Sequence, residues 1–172
     1  MASRLIFDPI VLLRVTPLVS STCTLLYGAD QDFFLGLLNR PESRAKSRPL
    51  LPAYFGAFFR RGVVFVVACL AVTAWSSVAN LYARRPTLIA SRSSGWWYVA
   101  TAALSTAHLL FVPLVAPPIK AIIDADEDSA GADADANATL DAWLRINRVR
   151  TLTVDLAAWV ASVGAAVGSL AA

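Results

Sequence analysis

The sequence predicts an all-α integral membrane protein, a single domain over residues 1–172 that forms a four-helix bundle. Hydrophobic residues make up 57 % of the chain, well above their share in a soluble domain. Four apolar runs are each near the length that a helix needs to cross a bilayer. Most charged residues stand between these runs, so the net charge of +3 describes loops and helix ends. This distribution excludes a basic nucleic-acid-binding face.

The predicted spans cover about residues 7–27, 62–83, 95–119 and 150–171. Span 1 is weakened by Asp8, Arg14 and two prolines. Because these charges break the early run and no small-residue cleavage site follows, we interpret it as a retained span. Starting the helix after Arg14 would leave too few residues to cross.

Two segments between the spans differ in charge. Residues 28–61 are predicted to form a long basic loop. The apolar stretch 50–59 within it lies in the interface, folds back as a lid, or is only a loosely held amphipathic connector. Residues 124–141 form an acidic, alanine-rich loop. Its DxDxD pattern resembles a calcium loop, but Ser129 replaces the required glycine. We therefore predict a flexible linker there and no metal site.

Span 2 carries a row of small polar residues, Thr73, Ser76, Ser77 and Asn80, which we expect to hydrogen-bond a neighbouring helix. The pair Arg84–Arg85 and Pro86 are predicted to end this span.

Span 3 contains His108, the only histidine, within an uncharged run from Ser93 to Ile119. An imidazole at membrane depth is costly unless it faces other helices or a wet cavity, so it is a candidate functional residue. Thr101 and Ser105 share its helical face. Trp96, Trp97 and Tyr98 are predicted to form an interfacial aromatic belt, and Pro113, Pro117 and Pro118 to kink or break the exit.

Span 4 is uncharged except for Asp155. Gly164 and Gly168 form a GxxxG pattern, which favours close helix contact. Arg148 and Asp155 are seven residues apart, nearly on one face of an α-helix, and are predicted neighbours. An Arg14–Asp155 pair is rejected because it needs about two turns of displacement.

Alternating spans bring several polar groups to the same side as the two charged loops. These include Tyr27, Arg60, Arg61, Lys120, Arg148 and Arg150. A cationic rim favours an anionic or phenolic ligand. For each basic residue alone, contact with lipid headgroups is the alternative.

Orientation rests on two opposing signals. The two loops carry ten of the fifteen Lys and Arg residues, which predicts a cytoplasmic side. The sequon at Asn137 would reverse this if a glycan were attached. We follow the charge rule.

The segments HLLFVPLVAPPIK and WLRINRVR, which begin at His108 and Trp143, resemble the anthrone oxygenase-like family of small fungal four-span membrane proteins. The resemblance implies oxidation of an anthrone to a quinone by dioxygen without a cofactor. It also implies a location in the endoplasmic reticulum or another endomembrane. In anthrone-oxidising members a histidine commonly stands where this chain has Asn147.

The resemblance further implies roles for individual residues. His108 is the candidate general base, and Asp155 would orient a water molecule or stabilise the imidazolium. The candidate substrate-binding residues are Tyr27, Asn147, Arg148 and Arg150. The partners would be a hydrophobic aromatic substrate, dioxygen and the bilayer; a homo-oligomer is left open. One histidine and two separated cysteines make no usual metal site.

Other interpretations of the same residues remain. His108 could instead hydrogen-bond Ser105 or another span, and Asp155 could simply hold Arg148. A non-redox cyclase or isomerase would use the same base on another hydrophobic intermediate. A scaffold or transporter subunit would use the polar residues only to hold helices together.

Overall fold

The computed structural model describes residues 8–83, 92–125 and 135–171, and every regular element in these ranges is helical. The elements in chain order are α1 (Pro9–Leu38), α2 (Pro41–Ser47), α3 (Leu51–Ala83), α4 (Arg92–Ala107), a 3₁₀ turn (His108–Phe111), α5 (Val112–Asp124), α6 (Ala136–Arg150), a π-helical segment (Thr151–Asp155) and α7 (Leu156–Leu170). Four helical stretches are long and apolar enough to cross a membrane. The predicted all-helical architecture with four apolar helices is therefore confirmed.

We keep the term span for these four stretches. Span 1 is α1, span 2 is α3, span 3 runs from Ser94 to Asp124, and span 4 runs from Ala136 to Leu170. The predicted end of span 2 at Arg84–Pro86 lies outside the described residues. The same holds for residues 126–134, which are half of the predicted acidic linker. The linker prediction is wrong for residues 136–141, because span 4 already begins at Ala136 and these residues are helical.

The predicted long basic loop between helices 1 and 2 is wrong. Span 1 continues to Leu38, α2 turns the corner, and span 2 already begins at Leu51. At 1.5 Å per residue these helices are roughly 45–50 Å long, against about 30 Å of bilayer hydrocarbon. Of the charged residues assigned to that loop, Asp30 and Asp32 therefore lie on span 1, Glu42, Arg44 and Lys46 on α2, and Arg60 and Arg61 on span 2. The stretch 50–59 lies almost entirely within span 2 and is not a lid.

The C-terminal ends of spans 1 and 3 and the N-terminal ends of spans 2 and 4 enclose an apolar core, which we call the outer core. Its buried residues are Leu35, Leu51, Phe55, Ile119, Ile122, Ala136, Leu140, Trp143 and Leu144. Phe55 and Trp143 meet edge to face, with ring centroids 5.4 Å apart. This core holds all four spans together at one end of the bundle.

The polar row of span 2 packs against span 1, as predicted. The Thr73 and Ser20 hydroxyls lie 2.7 Å apart, and Asn80 Nδ2 donates to the Leu13 carbonyl at 2.7 Å. Both contacts are between helices, so this row serves packing.

Spans 3 and 4 approach closely at two glycines, which confirms the expectation from the GxxxG pattern. A Cβ on Gly164 would lie 2.7 Å from the Trp97 ring, and one on Gly168 would lie 3.2 Å from Ser94. Tyr98 is fully buried and donates to Ser169 at 3.1 Å, so its assignment to an interfacial aromatic belt is wrong. It points inward because the helix turns it about 100° from Trp97.

The exit of span 3 is not broken by its prolines. After the 3₁₀ turn, α5 continues through Pro117 and Pro118 to Asp124. Pro113 lies in the first turn of α5, where its missing N–H costs little. The consequence is a continuous third helix with a change of pitch at His108.

Asn137 is buried, although it belongs to a sequon. Its side chain is fully inaccessible, and Nδ2 donates to Asn39 Oδ1 at 2.6 Å and to Ser47 Oγ at 3.1 Å. A glycan on this nitrogen has no room in such packing. The sequon at Asn137 therefore no longer argues against the orientation predicted from charge.

Candidate active site

His108 and Asp155 form a buried pair between spans 3 and 4. The imidazole Nδ1 lies 2.7 Å from Asp155 Oδ1, and the two side chains are only 6 % and 2 % exposed. An ionised carboxylate only accepts hydrogen bonds, so it favours the tautomer with the proton on Nδ1. This leaves Nε2 with its lone pair available to another molecule.

Asp155 has a second partner, Arg150, whose Nε lies 3.3 Å from Asp155 Oδ2. In a regular α-helix, residues five apart point about 140° away from each other. Here Thr151–Asp155 is π-helical, with i to i+5 hydrogen bonds that bring such residues to one face. Arg150 therefore balances the charge of Asp155.

The predicted Arg148–Asp155 contact is wrong for the same reason. The π segment adds one residue to the turn, so a spacing of seven no longer returns to the same face. Arg148 instead pairs with Asp32 at 3.1 Å, and its side chain is 62 % exposed. These contacts exclude the alternative role of Asp155, which was to hold Arg148.

His108 does bond another span, as one interpretation of the sequence proposed. Its partner is Asp155 on span 4. Ser105 is not the partner, because its hydroxyl donates to the Ala102 carbonyl. The imidazole is therefore oriented from outside its own helix.

Arg150 is held from span 1 as well. Its Nη2 donates to Asn147 Oδ1 at 2.6 Å, and Gln31 Oε1 lies 3.5 Å from the same nitrogen. Asn147 Nδ2 donates in turn to the Gly28 carbonyl at 3.0 Å. Because a Cβ at residue 28 would meet Thr151 Oγ1 at 2.6 Å, glycine permits this close approach of spans 1 and 4.

A cavity of about 410 Å³ lies beside His108, between spans 2 and 3. We call it the site cavity. Its lining includes His108, Arg150, Gln31 and Lys120, and otherwise consists mostly of Val, Leu, Ile and Phe side chains of the two spans. Such a volume and such a mostly apolar lining with few polar groups are typical of small-molecule sites. An imidazole on the wall of a ligand-sized cavity favours an enzyme over a scaffold.

A second cavity, of about 380 Å³, adjoins the first at Phe58 and Gly62. Tyr27 and Arg61 line this second cavity and not the site cavity. Tyr27 packs so closely on Gly62 that a Cβ there would collide with its hydroxyl. The structure therefore places Tyr27 one cavity away from His108.

The predicted site residues thus fall into two groups. His108, Asp155, Arg150 and Asn147 are brought together in one hydrogen-bonded cluster. Arg148 is not part of it, and Tyr27 reaches it only through a side-chain hydrogen bond with Gln31. Sequence reasoning misses one member of the cluster, Gln31, because the predicted span 1 ends at Tyr27 and leaves residue 31 in a loop.

No group of three His, Cys, Asp or Glu side chains that could hold a metal ion occurs within residues 8–83, 92–125 and 135–171. The two cysteines are free: Cys23 is exposed and Cys69 is half-buried.

Comparison with known proteins gives two informative relatives. The epoxidase gkaX of Penicillium citrinum is 31 % identical over 159 residues, which cover 92 % of this chain and 95 % of gkaX. The epoxidase pydX of an Acremonium species is 28 % identical over 166 residues, which cover 96 % of this chain and 99 % of pydX. Neither a family profile nor a solved structure matches the chain.

Proposed function

The chain belongs to the family of the fungal epoxidases gkaX and pydX, and from this membership we propose that it is a membrane-embedded oxygenase of secondary metabolism. Its substrate is a hydrophobic molecule bound in the site cavity. The observation that carries the proposal is the His108–Asp155 pair on the wall of that cavity.

His108 acts as the general base in this proposal. Its Nε2 removes a proton from an acidic carbon of the substrate, and Asp155 stabilises the imidazolium that forms. Arg150 compensates the Asp155 charge before the reaction and can hydrogen-bond a substrate oxygen from the cavity wall. Asn147 is a positioning residue because it acts through Arg150.

Dioxygen is the oxidant. The carbanion attacks dioxygen, which is reduced to a peroxide, and His108 returns its proton to give a substrate hydroperoxide. Transfer of the distal peroxide oxygen to a carbon–carbon double bond then yields an epoxide and an alcohol. Both oxygen atoms end in the product, and the substrate supplies the electrons.

A second outcome of the same hydroperoxide is the anthrone reaction. Loss of water from it leaves a carbonyl group, so an anthrone and dioxygen give a quinone and water. The observation that favours this reaction is the buried His108–Asp155 pair, because the reaction requires the protein only to remove the acidic methylene proton. The epoxide outcome ranks first because the relatives are epoxidases.

Labelled dioxygen separates these outcomes. The precursor that accumulates after deletion of the coding region is incubated with the purified protein in lipid nanodiscs under isotopically labelled dioxygen. We expect both labelled atoms in one product, an epoxide alcohol. One labelled atom in a quinone and one in water would favour the anthrone reaction. A product formed without oxygen uptake would contradict both and favour a cyclase or isomerase.

The cellular setting is also a proposal. Four apolar helices suit a multi-pass protein of the endoplasmic reticulum or another endomembrane, where a substrate dissolved in lipid reaches the site cavity directly. Tyr27 would contact only a substrate, or a substrate part, that extends into the second cavity. A homo-oligomer is compatible with the exposed apolar surface of the spans.

A further inference from the structure

We propose that the site cavity takes an elongated, singly acidic molecule, with its anionic head at Lys120 and its reacting carbon at His108. The reaction at His108 rests on the proposed function, but the binding does not. The reaction at His108 alone sets neither the length nor the charge of the substrate.

The site cavity is long. On span 2 its wall runs from Phe58 to Leu70, and on span 3 it runs from His108 to Asp124. Twelve helical steps along span 2 correspond to roughly 18 Å. A compact fused-ring molecule would fill one end only, whereas an extended chain can touch both.

The polar side chains that spans 2, 3 and 4 contribute to the cavity wall lie at its two ends. His108 and Arg150 lie at the inner end, where Gln31 of span 1 contacts Arg150, and Lys120 and Asp124 lie at the outer end. The side chains of spans 2 and 3 between the two ends are all apolar, among them Val66, Val112, Val115, Ala116 and Ile119. The middle of a matching ligand is therefore hydrocarbon.

Lys120 is the cation that lines the outer end of the site cavity among the described residues. Lys120 is exposed and forms no ion pair with any residue that the structure describes. Arg60 comes to the same end, because a Cβ added to Gly56 would lie 3.7 Å from the Ile123 side chain and 4.0 Å from Arg60 Nη1. Among the described residues, Lys120 and Asp124 line the outer end of the cavity, and Arg60 is a second cation beside that end. An anionic head group is therefore favoured at the outer end, where Lys120 is exposed and can pair with it.

The test uses palmitic acid as the probe, with palmityl alcohol as its uncharged match. Binding to the full-length protein is measured in neutral-lipid nanodiscs for wild type, Lys120→Gln and the control Lys46→Gln, whose exposed lysine lies on α2. We expect Lys120→Gln to weaken palmitate binding about fivefold, as for a partly exposed charge contact. The alcohol and the control should show no change. Equal palmitate binding by wild type and Lys120→Gln would overturn the proposal.

Photolabelling determines the direction of the probe. Palmitate with a diazirine at its tail should label Leu70 or Leu109 at the inner end, and palmitate with a diazirine beside the carboxylate should label Phe59 or Ile123. The reverse order, or labelling confined to side chains that are exposed on the outer surface of the spans, would contradict the proposed direction.

A charge-conserving variant separates a contact with the head from a structural role of the lysine. Lys120→Arg keeps the positive charge and should bind palmitate as wild type does. A loss equal to that of Lys120→Gln would overturn the proposed ion pair. Because no step needs turnover, failure of the oxygenase proposal would leave these binding results unaffected.

Discussion

Arg150 and Asp155 lie five residues apart on span 4, yet their side chains meet at 3.3 Å. The π-helical segment between them makes this possible, and the same segment presents the other carboxylate oxygen to His108 at 2.7 Å. A local departure from α-helical geometry therefore builds the charge-balanced cluster from which the proposed chemistry follows.

Removing the partner of a buried carboxylate tests this cluster. Arg150→Met leaves Asp155 without its cation, and we expect a loss of about 3 kcal/mol in the free energy of unfolding. The double variant Arg150→Met/Asp155→Asn should lose less than the sum of the two single variants, since it buries no uncompensated charge. Thermal unfolding in detergent measures all three. Strict additivity would show that the two residues are not coupled.

Asp155→Asn tests the orientation of the imidazole. An amide can donate to Nδ1 and so favour the tautomer with its proton on Nε2, which cannot act as a base towards the cavity. We expect product formation to fall roughly a hundredfold or more, with substrate binding little changed. The rate constant and the dissociation constant are measured separately. A selective loss of binding would assign Asp155 to substrate contact instead.

Close packing of spans 3 and 4 predicts the effect of adding one methyl group. Gly164→Ala forces a Cβ to within 2.7 Å of the Trp97 ring, so stability should fall by about 1–3 kcal/mol. Gly36→Ala is the matched control, because nothing lies within 4 Å of its added Cβ. The control should be neutral or slightly stabilising, as expected for alanine in a helix. Equal melting temperatures for both variants would contradict the predicted contact.

Acidic pH should weaken the Arg44–Asp135 ion pair, which joins α2 to the N-terminus of α6. The Arg44 guanidinium, 3.2 Å from Asp135, holds the pKa of this carboxyl below its ordinary value. A depressed folded-state pKa stabilises the fold above the unfolded pKa, near 4, and this contribution is lost as pH falls through the folded value. Arg44→Gln should therefore lower the melting temperature at neutral pH. The difference from wild type should shrink at acidic pH; a constant difference would exclude this linkage.

The buried sequon gives a prediction about modification. Because Asn137 Nδ2 donates to Asn39 and Ser47 inside the packed corner, we expect no glycan in a fungal expression host. N-glycosidase treatment should leave the electrophoretic mobility unchanged. Asn137→Ala should destabilise the protein by about 1–3 kcal/mol because it leaves buried polar partners unsatisfied. A mobility shift after treatment would reverse the predicted orientation.

The order of apolar and charged residues along the chain is sufficient to predict the helical class and the four apolar runs, because a span is a property of many residues together. It does not predict where the helices end. Residues 28–38 and 51–61 carry charge and proline, and only the outer core explains why they are helical.

The candidate site is predictable to the extent that burial of a polar group is costly. His108 and Asp155 are found because each interrupts an apolar run. The contact between them depends on the π-helical segment, which no sequence pattern indicates. The same segment explains why Asp155 pairs with Arg150 and not with the predicted Arg148. Gln31 is missed because its helix is predicted to end too early.

The proposed role of His108 as the catalytic base is tested most directly by comparing wild type, His108→Asn and Thr106→Ala in nanodiscs. The readout is the rate of oxygen incorporation into the accumulated precursor. Thr106 is exposed on the same helix, so its variant controls for substitution in span 3. We predict that His108→Asn lowers the rate by about a hundredfold or more while Thr106→Ala keeps it. A folded His108→Asn protein that incorporates oxygen at the wild-type rate would contradict the claim that this imidazole is the catalytic base.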